Sequence, residues 1–198
     1  MSILLPASPQ PTDGTTPAYL DYGGILRPIL GGALQKLLRL GDRFAIDVVM
    51  PPMPTEAMGR VWISRLIQAQ RQGAILRWPQ LGFVVGNVGS PVVNGANQSG
   101  STLIMRGFAA GYLVREGQFF SVIHGGRRYL IMSTSDVTVA PNGVIGLPIT
   151  PMMRFRASDG AIVEADPKIE GLLEGDSREW TLSAAMTVGL NFRITETK

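Results

Sequence analysis

Apolar residues along this chain fall in short runs cut by glycine and proline, the pattern of a β-rich protein with many turns. The clearest series lies between Gly117 and Arg154. Phe119 to Ile123 predicts a strand, and Arg128 to Ser133 a returning one. His124-Gly125-Gly126-Arg127 joins them as a tight turn, where Gly-Gly suits a two-residue hairpin loop because both positions can take positive φ. Val137-Thr138-Val139 is a third run, stopped by the turn signal Pro141-Asn142-Gly143. Val144 to Ile149 is then extended and leads into Thr150-Pro151-Met152-Met153-Arg154.

Upstream, residues 1–20 are rich in Pro, Ser and Thr and predict an extended or disordered arm. An arm that orders against a neighbouring subunit would use Ile3, Leu4 and Leu5 as its anchor. Tyr22 to Pro52 reads as a β-hairpin, with Pro28 marking an edge position, Ala33 to Leu40 as one strand and Gly41-Asp42 as a turn. In Arg43 to Met50, Phe44, Ile46 and Val48 share one face. A helix is the rival reading of Ala33 to Leu40, because its residues are also good helix formers.

Thr55 to Gln72 predicts the one principal helix. Met58, Val61, Trp62, Arg65, Leu66 and Ala69 recur at helical spacing; Thr55 is placed as N-cap, Glu56 suits the helix dipole, and Gly73 stands at C′. Trp62 is expected to plug this helix onto a sheet. Ala74 to Pro79 and Thr102 to Phe108 predict short strands on either side of a Gly- and Asn-rich loop region. Phe155 to Gly175 is more polar and, with Glu174, Asp176 and Glu179, forms the acidic part of the chain; a solvated loop or rim is expected there. Trp180 to Ile194 predicts a final half-buried strand, with Val188, Leu190, Phe192 and Ile194 alternating.

Composition narrows the function. With no cysteine and one histidine, disulfides, thiolate metal sites and the usual zinc sites are excluded. The acidic segment lacks EF-hand spacing, and no cofactor loop is found: no GxGxxG or Walker pattern occurs in a strand-to-helix context. His124 sits in the Gly-Gly turn, and Ser121, Ser133 and Asp136 stand near it in no known catalytic order, so no catalytic residue is assigned. The N-terminus lacks the basic and apolar regions of a signal peptide, and no apolar run approaches the ~20 residues of a membrane helix, which predicts a soluble protein made inside the cell. A net charge of +3, with scattered Lys and Arg, argues against a nucleic-acid partner. The charged fraction of 17% is low, which points to surface shared with other chains. Met53, Met105, Met132, Met152 and Met153 supply adaptable apolar contact, suited to cores and subunit interfaces.

Three segments carry a resemblance: GGALQKLLRLGDRFAIDVVMPPM with the Trp-bearing helix after it; REGQFFSVIHGGRRYLIMSTSDVTVAPNGVIGLPITPMMR, which closes on Pro151-Met152-Met153-Arg154; and WTLSAAMTVGLNFRITE. In layout and local wording these resemble the distal tail proteins of long-tailed bacteriophages. The longer members' receptor- or carbohydrate-binding extension has no counterpart here. The resemblance implies a mainly β fold with one principal α-helix, an antiparallel β-barrel or sandwich of the phage tail-protein type. It divides the chain into an arm, 1–20, and a single barrel or sandwich domain, 21–198, with the helix inserted at about 55–72. It implies a structural virion protein made in the bacterial host cytoplasm. Its partners would be further copies of itself in a hexameric ring, the tail tube protein and the baseplate hub protein, with no membrane and no sequence-specific nucleic acid.

In such a ring Ile3, Leu4, Leu5, Asn94, Asn97, Asp159, Glu164 and Asp166 are the candidate subunit contacts, and Trp62, Leu66, Phe120, Tyr129, Trp180 and Phe192 the candidate core. Other readings remain open: a tail-tube, tail-terminator or head–tail connector protein, or an OB-like binding module, for which Arg127, Arg128 and Tyr129 supply a trace of basic and aromatic residues. An enzyme is not supported by any of these patterns.

Overall fold

The computed structural model describes residues 1–12 and 14–197. Strands hold 48% of the residues and helix 9%, which makes this a mainly β protein whose antiparallel sheets nearly close into a barrel. In chain order the strands are β1 (Ile3–Leu4), β2 (Thr16–Leu20), β3 (Gly24–Leu26), β4 (Gln35–Leu37), β5 (Arg43–Val49), β6 (Met53–Pro54), β7 (Ala74–Arg77), β8 (Gly89–Val93) and β9 (Gln98–Phe108). They continue with β10 (Leu113–Val114), β11 (Phe119–His124), β12 (Arg127–Ser133), β13 (Val137–Thr138), β14 (Ile145–Ala157), β15 (Val163–Glu164), β16 (Lys168–Leu173), β17 (Trp180–Leu182) and β18 (Thr187–Glu196). A π-helical turn, Thr55–Gly59, leads into the α-helix α1, Arg60–Gln72.

The first sheet runs β1-β7-β16-β18-β5-β2, with β6 and β17 also paired to β18. The second runs β15-β11-β12-β14-β9-β8. All of these pairings are antiparallel except β1 on β7. One apolar core lies between α1 and the first sheet and takes in Trp62, Leu66, Ile46, Ile169, Phe192 and Ile194. A second fills the concave side of the other sheet around Leu103, Met105, Phe120, Val122 and Ile131.

The β11–β12 hairpin lies between these cores. Its register runs from Phe119 opposite Met132 to His124 opposite Arg127, and Gly125 and Gly126 take φ of 58° and 75°, as the two-residue turn demands. Phe120 and Val122 face the second core; Phe119 packs against the first, and Ser121 Oγ donates to Lys168 O at 2.8 Å. A strand covered on both faces has no need to alternate, which accounts for the unbroken runs in Phe119–Ile123 and Tyr129–Met132. Neighbouring strands within the first sheet also approach closely. On β16, a Cβ placed on Gly171 would stand 2.1 Å from Thr195 O of β18.

Several expectations are corrected. The N-terminal arm belongs to this chain's own fold: Ile3 N–H donates to Gly73 O and Leu5 N–H to Ile75 O, Leu5 is 3% exposed, and β2 pairs along β5. β1 thereby covers the otherwise open edge of β7. Only Leu4 of the three proposed anchors is exposed. Ala33–Leu40 is neither a full strand nor a helix. Gln35–Leu37 pairs with Gly24–Leu26 in a small separate hairpin, while β5 sits between β2 and β18. The reason is burial: Phe44, Ala45, Ile46 and Val48 are all buried, so β5 takes the sheet's interior, whereas the Ala33–Leu40 run has no core to enter.

Thr55 does not cap the helix. Its hydroxyl donates to Met186 O at 2.8 Å, and the chain enters α1 through the π turn. Trp62, Leu66 and Ala69 face the core, and the helix ends at Gly73. Strand β9 begins four residues before the expected Thr102, and β14 continues past Pro151 to Ala157. Within Phe155–Gly175, expected to be a solvated rim, β16 is an interior strand between β7 and β18, with Ile169 and Glu170 buried. The closing segment is a hairpin of β17 and β18 rather than one strand. Val188, Leu190, Phe192 and Ile194 are buried, but Trp180, at 41% exposed, is not core, because β17 lies off the main path of the sheet. Tyr129 is half-buried, its ring 4.0 Å from that of Phe155. No helix among the described residues is long and apolar enough to cross a membrane.

Candidate functional site

Most residues singled out for chemistry or contact are engaged within the chain. His124 stacks on Phe155 at 5.1 Å, with its Nδ1 3.3 Å from Ser158 Oγ. Its neighbours in sequence are occupied elsewhere: Ser121 bonds Lys168, Ser133 Oγ donates to Ser135 O, and Asp136 accepts the Glu116 N–H. Among the described residues no group of three His, Asp or Glu side chains is placed to hold a metal ion. Of the basic and aromatic trace, Arg128 is bound by Glu164, with its Nε 2.9 Å from the carboxylate, so it is not free to meet a phosphate.

The acidic contact candidates also have partners in the chain. Asp159 accepts from both terminal nitrogens of the Arg106 guanidinium, at 2.5 and 3.2 Å, and from the Gly95 N–H at 2.7 Å. The Arg106 hydrogen bond, helped by Gly95, holds the Asp159 carboxyl down at about 2. Asn94 Oδ1 accepts from the same guanidinium at 2.9 Å, so Asn94, Arg106 and Asp159 form a latch across the β8–β9 turn. Asn97 is exposed in that turn. Burial raises the Glu164 carboxyl, but Arg128 and Lys168 outweigh it and the net shift is downward. Asp166 pairs with Arg77 Nε at 2.6 Å.

Among the described residues the β3–β4 hairpin carries a run of apolar side chains with little cover. Ile25, Leu26, Ile29, Leu30, Leu34, Leu37, Leu38 and Leu40 are all between 41% and 101% exposed. A contiguous apolar surface of this kind on a folded protein marks a contact site. The base of the hairpin is firmly held. Asp42 accepts the Tyr19 hydroxyl at 2.9 Å and the Tyr22 N–H at 2.8 Å, Lys36 pairs with Asp21 at 2.5 Å, and Arg43 lies 4.7 Å over the Tyr22 ring. The apolar surface is therefore presented on a braced arm. The sequence pattern reads Ala33–Leu40 as a hairpin strand before Arg43–Met50; the cue against that is Pro28 and Gly31-Gly32 breaking the run, together with the lack of alternation in Leu37-Leu38-Arg39-Leu40.

A second open apolar surface is concave. A groove of about 540 Å³ runs between α1 and β17, with Ile63, Ile67, Trp180 and Leu182 as its apolar lining. The helix was legible, but that its outer face would meet Trp180 across a groove was not, because the two lie more than a hundred residues apart in the chain.

No protein-family model matches this chain, and no curated protein does.

Proposed function

We propose that this chain is a structural virion protein of a phage tail, forming a ring at the tail tip that joins the tail tube to the baseplate hub. The observation that carries the reading is the braced hairpin with eight large apolar side chains in solvent. Such a surface is costly to leave wet, and an assembly subunit is the kind of protein that gains from keeping one. The antiparallel barrel with a single helix agrees with the fold that the tail-protein resemblance implies. A closed ring is the symmetric way to cover such a surface without open-ended growth.

Light scattering on the purified protein, followed by negative-stain microscopy, tests this reading. Closed rings, six-fold by the resemblance, are expected; a stable monomer at micromolar concentration would overturn it. The hairpin serves equally for a tube, terminator or connector ring, so labelling the chain in intact particles and counting its copies decides its place in the tail.

A further inference from the structure

We infer that Asn94-Gly95, in the turn between β8 and β9, is a self-modification site: the Gly95 nitrogen attacks the Asn94 side-chain amide, ammonia leaves, and the turn gains a carboxylate. This goes beyond the ring reading and does not depend on it.

The chain holds two Asn-Gly pairs, Asn94-Gly95 and Asn142-Gly143. In each, glycine leaves the backbone nitrogen beside the asparagine side chain unhindered by a Cβ. Their surroundings differ. At the first, Nη1 of Arg106 donates to Asn94 Oδ1 at 2.9 Å. The cation polarises the amide carbonyl and stands where negative charge gathers when a nucleophile adds to it. Oδ1 of Asp159 accepts the Gly95 N–H at 2.7 Å, which sets a base on the proton that the nucleophile must shed. The Asp159 carboxyl, held down at about 2, is a weak base but is ionised throughout the neutral range. Gln98 Nε2 donates to Asn94 O at 2.7 Å and to Gly95 O at 3.3 Å and so fixes the backbone on both sides of the reacting bond. Asn94 Nδ2 makes no hydrogen bond among the described residues, so nothing there retains the leaving amine.

The second pair lacks these groups. Among the described residues Asn142 Oδ1 accepts the Val144 N–H at 3.1 Å, and the Gly143 N–H donates to Ala140 O at 2.9 Å. Neither partner is charged, and a backbone carbonyl is no base. A Cβ on Gly143 would stand 2.8 Å from Phe108 O, whereas one on Gly95 would meet nothing nearer than 3.9 Å, so the first turn also has the more open surroundings.

The reaction balances within the chain and water. A bond forms between Gly95 N and Asn94 Cγ. The Gly95 proton passes to Asp159 and on to Nδ2, the Cγ–Nδ2 bond breaks, and ammonia departs from a five-membered imide. Water reaches this turn, where the Asp159 side chain is 51% exposed, and opens the imide at either carbonyl. Opening at Cγ leaves aspartate at position 94; opening at the backbone carbonyl leaves the chain linked through the side chain. Either product sets a new carboxylate beside that of Asp159, with Arg106 between them.

Tandem mass spectrometry of peptides from the full chain, incubated folded at neutral pH, follows both pairs in one sample. Asn94 is expected to convert faster than Asn142 in the folded protein, and at a similar rate in urea, where the neighbours are lost. Arg106→Met and Asp159→Ala are each expected to slow Asn94 roughly tenfold and to leave Asn142 unchanged. Arg106→Lys, which keeps a cationic donor, is expected to retain part of the rate. A latch that merely holds the turn still would give the reverse order, so faster conversion of Asn94 in the Met and Ala variants overturns the proposal. Unchanged rates in those variants, equal rates at the two pairs in the folded protein, or an Asn94 that stays an amide overturn it as well.

Discussion

Nη2 of Arg154 stands 2.8 Å from Oε1 of Glu196, with the two side chains 5% and 0% exposed. The same carboxylate accepts the Leu130 N–H at 2.7 Å and the Phe44 N–H at 3.1 Å. Glu196 on β18 thus holds β5 in its own sheet and both β12 and β14 in the other. Burial pushes its carboxyl up, against the pull of Arg154 and the two N–H groups. Among the described residues Nη1 of Arg154 has no hydrogen-bond partner, and Glu196 is the carboxylate paired with this buried cation.

Glu196→Gln should cost roughly 3–5 kcal/mol of unfolding free energy, because it leaves a buried guanidinium unpaired and offers an NH₂ where a second N–H needs an acceptor. Adding Arg154→Met should recover part of that loss, a coupling of about 0.5–3 kcal/mol. Urea unfolding of the two single variants and the double variant measures both. A loss below about 1 kcal/mol in the single variant would mean that water reaches the pair.

Trp62 is 1% exposed, and its Nε1–H donates to Ser8 O at 3.2 Å. Trp62→Ala should cost roughly 3–5 kcal/mol and loosen the N-terminal segment as well as the helix. Denaturant unfolding gives the first effect. Faster proteolysis within residues 1–12 would give the second, and unchanged cleavage there would argue that β1 alone holds the segment.

Ile29→Ser with Leu30→Ser should leave stability within about 0.5 kcal/mol, since both side chains lie in solvent. The same pair of changes should shift the assembled protein toward monomer in light scattering. Rings that survive these substitutions would move the interface away from the hairpin tip.

Asp159 has a carboxyl depressed to about 2 in the folded protein, against roughly 3.9 in an unfolded chain. A depressed carboxyl contributes stability that is complete above the unfolded value and lost as pH falls through the folded one. The Gly95 amide, which donates to Asp159, should stay protected from hydrogen exchange at pH 4 and lose protection near pH 2. Arg106→Met removes the main cause of the depression, so the loss of protection should move up in pH. An unchanged midpoint would assign the effect to Gly95 and its neighbours.

What the sequence by itself determined is local. Gly125-Gly126 marks a two-residue turn wherever it stands between strands, the period of Trp62, Leu66 and Ala69 makes a helix face, and the alternation from Val188 to Ile194 makes a half-buried strand. These signals act over a few residues, so no distant partner is needed to read them. The tertiary structure decided the rest. Arg154 and Glu196 each look like a surface charge in the sequence, and only the meeting of two sheets makes them a buried pair. Trp180 reads as core by residue type, yet it stands beside a groove because β17 lies off the main sheet. Leu5 belongs to the core because β7 offers an edge. Leu30 and Leu34 remain in solvent because β5 already fills the sheet interior between β2 and β18. Burial depends on what other elements have covered, and that is a property of the whole fold.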